Sequence, residues 1–175
     1  MEDIFLREMT KNDKKAILDY IDEFIENGSE FTGMTIVKSC KTFQDLLVMN
    51  EKNKNIPFIS YDQDKVASCT FLLIRKSDDK ILGAFTLRKY LTKSLDDSFA
   101  GNIEFGIRPS ERKKGYATEG IKLLLEKCRS FEMKSVRLGC STKNIASRKA
   151  IIANGGKLIG HIESLVSQDY YQIDL

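Results

Sequence analysis

Apolar positions along the chain fall into segments of two different periods. Ile17, Tyr20, Ile21 and Phe24 recur at helical spacing, Asn12 or Asp13 suits the cap before them, and Gly28 stops the pattern. The spacing predicts a helix ending near Asn27. A short strand, Ile4 to Glu8, precedes it. A second helix is predicted over Thr42 to Asn50, with Phe43, Leu46 and Leu47 inward. Ser29 to Cys40, between the two helices, has no clear period and reads as a loop of the kind that shapes a pocket.

The pattern then changes. Val66 to Lys76 (VASCTFLLIRK) and Ile81 to Tyr90 (ILGAFTLRKY) are rich in β-favouring residues, and the polar SDDK between them marks a hairpin turn. Asn102 to Ile107 reads as a further strand, ended by Arg108 and Pro109. Next come a helix over Thr118 to Phe131, a strand over Ser135 to Cys140 and a helix over Asn144 to Asn154. After the Gly155-Gly156 stop, two strands are predicted, Lys157 to Leu165 and Asp169 to Leu175. The order β-α-α-β-β-β-α-β-α-β-β implies an α/β fold with a mixed sheet and helices on its faces.

Composition narrows the function classes. The 175 residues suit one domain, residues 1–175, with a core large enough to need no staples. A net charge of +3 is too small to argue for nucleic acid or an anionic membrane surface. No apolar run approaches the roughly 20 residues of a spanning helix. The start, MEDIFLREM, lacks a basic region and an apolar stretch, so no secretory signal is expected and a cytoplasmic setting is. Four cysteines without a C-x-x-C pair, together with the single histidine, His161, give no usual zinc ligand set, so no metal is expected. The cysteines read as buried reduced thiols, Cys140 among them. One histidine and no G-x-S-x-G leave a Ser-His-Asp hydrolase without support.

The stretch RPSERKKGYATEG, Arg108 to Gly120, carries the chemistry. It joins a strand to a helix whose Ile121, Leu124, Leu125 and Cys128 form a core-facing stripe. The first-turn N–H groups of such a helix have no partner within it, and the dipole adds partial positive charge, so that end suits an anion. Gly115 lets the backbone bend and a ligand approach. Ala117 keeps the turn open, and Arg112, Lys113 and Lys114 add charge. Charge-assisted hydrogen bonds of about 1.5–3 kcal/mol each would together hold a diphosphate. Neither the Walker A pattern nor G-x-G-x-x-G is present. Nucleic-acid binding by Arg108 to Lys114 lacks stacking aromatics beyond Tyr116.

These residues resemble motif A of the GNAT superfamily of acetyl-CoA-dependent N-acyltransferases. The family pattern R/Q-x-x-G-x-G/A matches Arg112-Lys113-Lys114-Gly115-Tyr116-Ala117. Its context matches too: β-α-α, an antiparallel trio, the motif, a fifth strand, then Asn144-x-x-Ser147 on a helix ending in Gly155-Gly156. The runs LRKYL, IEFGIRPSERKKGYATEG, NIASRKAI, NGGKLIG and YYQIDL resemble an uncharacterised bacterial branch, so the resemblance covers nearly the whole chain.

The resemblance implies a mostly antiparallel central sheet with helices on both faces, splayed between its fourth and fifth strands to admit the pantetheine arm of acetyl-CoA. It assigns Phe105, Gly106 and Ile107 to that arm, Arg112, Lys113, Lys114, Gly115, Tyr116, Ala117 and Thr118 to the diphosphate, and Asn144 and Ser147 to the far side of the arm. Asn144 also suits a helix N-cap, and both roles hold together. Arg148 and Lys149 read as solvated charges, with the ribose phosphate as their other option. The reaction implied is direct attack on the thioester by an amine of a small molecule or a peptide. Deprotonating an alkylamine near neutral pH costs about 4 kcal/mol, so a proton acceptor is needed, and Glu104 on the fourth strand is the candidate. Strand alternation can turn Glu104 to the site or to the opposite face, and a bulge would reverse either reading. A main-chain N–H of that strand, such as that of Ile107, would polarise the thioester oxygen.

The chain departs from the family at two positions. The tyrosine with which many members of the family protonate the leaving thiolate is replaced by Ile151, which leaves Tyr170, Tyr171, Ser147 and water open for that role. The fifth-strand glutamate is replaced by Gly139. A non-catalytic acyl-CoA-binding module is the alternative these departures suggest. The family often forms dimers, which keeps a homodimer open.

Overall fold

A computed structural model describes residues 3–63, 65–163 and 165–175. The elements are β1 (Ile4–Glu8), α1 (Lys14–Glu26), α2 (Phe43–Lys54), β2 (Ser68–Arg75), β3 (Lys80–Arg88), α3 (Lys93–Asp97), β4 (Ile103–Ile107), α4 (Tyr116–Ser130), β5 (Ser135–Ser141), α5 (Ile145–Ala153), β6 (Lys157–Ile162) and β7 (Gln168–Asp174). Short 3-10 turns at Lys11–Asp13, Thr35–Ser39 and Pro109–Glu111 punctuate them.

The strands form two antiparallel sheets, one in the order β1-β2-β3-β4 and the other β5-β7-β6. They meet where β4 begins. Gly101 bridges Leu138, the Asn102 N–H donates to the Arg137 carbonyl at 2.7 Å, and the Arg137 N–H donates to Asn102 Oδ1 at 2.9 Å. Beyond that contact β4 and β5 belong to separate ladders.

Alternation along β2 explains why helices cover both faces of the first sheet. Leu72 and Ile74 pack with Ile17, Tyr20 and Phe24 of α1 and Leu46 of α2. Phe71 and Leu73 pack on the other side with Ile121, Leu124, Leu125 and Cys128 of α4. A bulge keeps both faces filled on β3: Gly83 pairs Leu73 while Ile81 pairs Ile74, so Leu82 is an extra residue. Ile81 and Ala84 therefore face α1, while Leu82 and Phe85 face α4. Each fully buried aliphatic or aromatic side chain contributes about 1.5–3 kcal/mol.

Most predicted elements are present with shifted ends. Asp13 is the N-cap residue of the first helix, as expected, but its side chain turns away from the helix to pair with Arg7 at 2.6 Å, and the capping box belongs to Thr10 and Asp13 around the 3-10 turn before it. The second helix runs on to Lys54, capped by Thr42 and Asp45. The fourth helix starts at Tyr116 rather than Thr118. The strand expected to reach Leu165 ends at Ile162, with Leu165 in a turn. Ser164, within that expected strand, and Met1 and Glu2 lie outside the described residues. The five-residue α3 was not predicted, because Leu95 is its only large apolar residue and it shows no period.

One contact sets how closely α4 lies on the sheet. A Cβ on Gly120 would lie 2.1 Å from Cζ of Phe85, which is fully buried and stacks on Phe105 at 5.9 Å between ring centroids. Overpacking of this kind costs about 1–3 kcal/mol. Gly120→Ala is expected to lower the melting temperature by about 5 °C. A thermal melt within 1 °C of the unaltered protein would show that Phe85 can move aside.

Candidate active site

Residue parity along β4 decides which groups meet a ligand. The Arg108 N–H donates to the Leu82 carbonyl at 2.9 Å, and the β3–β4 register has no shift. Even-numbered residues of β4 therefore direct their main-chain groups at β3, and odd-numbered ones direct theirs at the outer edge. Two outer carbonyls already have protein donors. Thr32 Oγ1 donates to Phe105 O at 3.1 Å, and Arg112 Nε donates to Ile107 O at 3.1 Å. The N–H groups of Phe105 and Ile107 lie along the same edge, so that edge is biased toward donors.

Side chains alternate independently of this. Ile103, Phe105 and Ile107 pack toward α4. Glu104 and Gly106 face α1 and the 29–40 loop. Glu104 Oε1 accepts from the Gly33 N–H at 2.8 Å. Its Oε2 accepts from Thr35 Oγ1 at 2.9 Å and from Arg88 Nη2 at 3.2 Å. Gly106 lies under Thr32, whose carbonyl is 2.4 Å from where a Cβ would be, and the Gly106 carbonyl accepts from the Tyr20 hydroxyl at 3.1 Å. Thr86 Oγ1 donates to Gly33 O at 2.8 Å. The loop is thus bonded across β3 and β4 beside Glu104.

The segment between β4 and α4 is shaped by backbone as much as by charge. Lys113 has φ +63° and Gly115 has φ +87°, and Gly115 is the N-cap residue of α4. The first bond closing the helix runs from the Glu119 N–H to the Gly115 carbonyl at 3.2 Å. The first-turn amides, including those of Ala117 and Thr118, thus point out of the N-terminus, where the dipole favours an anion.

The cations of the motif have different fates. Arg112 turns back over the Phe24 ring, 5.3 Å from its centroid, and donates to Ser29 Oγ at 3.1 Å. Lys114 pairs with Glu111 at 2.8 Å. Arg108 is buried, with Nη2 2.7 Å from Asp19 Oδ2 and Nε 2.7 Å from Glu23 Oε2. Burial pushes the Glu23 carboxyl up, but the Ser110 amide and hydroxyl and Arg108 outweigh it and hold it below the usual range. Arg108 is therefore removed from the surface, while Arg112, Lys113 and Lys114 remain exposed.

Asn144 caps α5, its Oδ1 accepting from the Ser147 N–H at 3.1 Å. Asn154 Nδ2 donates to the Thr118 carbonyl at 3.0 Å and ties α5 to the first turn of α4. Arg148 donates to the Thr142 carbonyl at 2.7 Å and pairs with Asp169 at 3.2 Å.

An acetyltransferase (GNAT) domain model matches residues 3–157. The chain belongs to the GNAT acetyltransferase family. It is an acetyl-CoA-dependent acyltransferase. Solved structures of the same fold include an N-acetyltransferase from Staphylococcus aureus Mu50, 16% identical, covering 98% of each chain with a TM-score of 0.67. Spermidine N-acetyltransferase from Vibrio cholerae, in complex with CoA and spermine, is 14% identical over 98% of this chain and 95% of that one, at 0.64. The Salmonella typhimurium acetyl transferase that modifies the N-terminal serine of ribosomal protein L7/L12 is 12% identical over 98% and 95%, at 0.67. No curated protein sequence matches the chain.

Within this GNAT fold the two departures have structural counterparts. Ile151 is fully buried in the core with Leu138 and Tyr171. Gly139 is covered by the Phe99 carbonyl, 1.8 Å from where a Cβ would be, so a larger residue there would displace the 98–101 segment. The Phe99 ring stacks on Tyr170 at 4.4 Å. Tyr170 and Tyr171 lie on opposite faces of β7. The Tyr170 hydroxyl donates to Asp96 and the Tyr171 hydroxyl to Asp169, and burial, then those carboxylates, raise both phenols above the usual range. Burial, then Asp169, likewise raises the Cys140 thiol, which disfavours a thiolate.

The individual roles of Thr32, Gly33 and Thr35 were not legible because the 29–40 loop has no period, and Tyr20 and Arg88 read only as a helix-face residue and a strand residue. Among the described residues no group of three His, Cys, Asp or Glu side chains is placed to hold a metal ion, and no helix is long and apolar enough to cross a membrane.

Proposed function

We propose that the protein transfers an acetyl group from acetyl-CoA to a primary amine of a small molecule or peptide by direct attack. The observation that carries this is the joining of two binding elements by one side chain: Arg112 leaves the turn before α4 and closes on Ile107 at the end of β4. In this reading the amides of 113–118 hold the diphosphate. The pantetheine arm runs along the outer edge of β4, where Phe105, Gly106 and Ile107 meet it, in a splay between β4 and β5. Asn144 and Ser147 approach it from α5.

Acetyl-CoA supplies the thioester. A donor-biased β4 edge suits a thioester oxygen, which only accepts, and the Ile107 N–H on that edge is the proposed group to polarise it. Glu104 is the proposed proton acceptor. Its carboxylate already accepts three hydrogen bonds, which leaves about one of four lone-pair positions, so a water beside it is the proposed carrier. Spermidine N-acetyltransferase bound to spermine and the acetyl transferase that modifies the N-terminal serine of L7/L12 share this fold, and they support an amine acceptor without choosing its size.

Calorimetric titration with acetyl-CoA, controlled with dephospho-CoA and ATP, tests the binding half. Thiol release in an amine screen tests the transfer. Glu104→Gln is expected to lower kcat by about 10²-fold and to change the shape of the pH–rate profile. Lost activity with an unchanged profile would leave Glu104 only the role of holding Gly33 and Thr35.

A further inference from the structure

The residue just before the diphosphate segment has a role of its own. Glu111 is 4% exposed, yet it meets three cations from three parts of the chain. Lys114 Nζ, from the loop, lies 2.8 Å from Oε2, and Lys80 Nζ, from β3, lies 3.2 Å from Oε1. Arg75 Nη1, from β2, lies 3.4 Å from both oxygens. The 111–116 segment is therefore held at its start by Arg75 and Lys80 and across its turn by the Glu111–Lys114 pair, and Lys113 and Gly115 in it adopt left-handed conformations.

We infer that Glu111 is a positioning residue for acetyl-CoA: it fixes the 112–116 backbone in its anion-binding shape and keeps Lys114 as a partner of the loop rather than of the diphosphate. The inference rests on the cofactor reading above. Burial alone would raise the Glu111 carboxyl, but Lys114, Lys80 and Arg75 outweigh it, so the group is anionic at neutral pH. A buried anion beside a diphosphate repels it. That residue type is useful at this place only if the geometry it enforces outweighs the repulsion, since preorganised amides lose less on binding than a loop that must first order.

The sign of one substitution separates the two effects. Glu111→Gln removes a negative charge next to the proposed anion site. If charge dominates, acetyl-CoA binds more tightly. If Glu111 acts by positioning, the dissociation constant rises, here by about tenfold, and the loss falls on KM for acetyl-CoA rather than on kcat. Circular dichroism and a melting temperature above the assay temperature establish that the variant is folded. Glu111→Asp keeps the charge but withdraws it from Lys114 and Lys80, and gives the test should Glu111→Gln fail to fold: positioning predicts weaker binding and charge alone predicts no change. Lys114→Met combined with Glu111→Gln should bind no worse than the weaker single variant. Tighter binding in Glu111→Gln, additive effects, or unchanged affinity throughout would overturn the inference while leaving acetyl-CoA binding intact. Absence of acetyl-CoA binding by the unaltered protein would overturn the cofactor reading and this inference with it.

Discussion

Gly115→Glu is expected to weaken acetyl-CoA binding by at least 100-fold. Gly115 caps α4 at φ +87°, and the reading above puts a diphosphate against the amides that follow it. A carboxylate there adds repulsion and competes for the same donors. Loss of two charge-assisted hydrogen bonds at about 1.5 kcal/mol each already exceeds a factor of 100. Any side chain at this φ adds strain of about 1–2 kcal/mol, so Gly115→Asn is the control. Asn tolerates the left-handed region and carries no charge, and it should keep affinity within about tenfold. Calorimetry on both variants, with melts to confirm folding, makes the comparison. Normal affinity in Gly115→Glu would mean that this turn does not hold the diphosphate.

Gly33→Ala is expected to have the largest effect on stability. Gly33 has φ +87°, and a Cβ there would lie 2.2 Å from the Ala84 carbonyl oxygen and 2.5 Å from the Gly106 nitrogen. Both obstacles are backbone in the middle of a sheet, so neither can rotate away. Strain and overpacking together cost about 3 kcal/mol or more, or roughly 10 °C in melting temperature for a chain of this size. The same substitution at Gly28 isolates the strain, because φ there is +56° and nothing lies within 4 Å of the added atom. Gly28→Ala should cost about 1 kcal/mol. Equal melting temperatures for the two variants would show that the loop does not press on β3 and β4 as described. Displacing Gly33 also removes the donor to Glu104 Oε1, so activity should fall along with stability.

The helical stripe of α4, the β2–β3 hairpin and the strand–turn–helix setting of Arg112 to Ala117 were legible in the sequence because each depends on neighbours within a few residues. Period and turn chemistry are local properties, and they carried the fold class and the proposed cofactor cradle. The site's chemistry was less legible. That Glu104 faces Gly33, Thr35 and Arg88 follows from β4 pairing β3 without a shift, and a bulge like the one at Leu82 would have reversed it. The contact of Phe99 with Gly139 depends on α3, which has too few apolar residues to announce itself.

By itself the sequence determined the order of elements, the glycine and the small residue at the start of α4, and the loss of the family's tyrosine and fifth-strand glutamate at Ile151 and Gly139. Only the tertiary structure decided what each charge of RPSERKKGYATEG does. Arg108 is buried against Asp19 and Glu23, Arg112 closes on β4, and Lys114 is taken by Glu111. The reason is physical: local pattern shows where a charge stands along the chain, but its partners come from elements up to 89 residues away in sequence, and the energy of a charge is set by its partners and its burial.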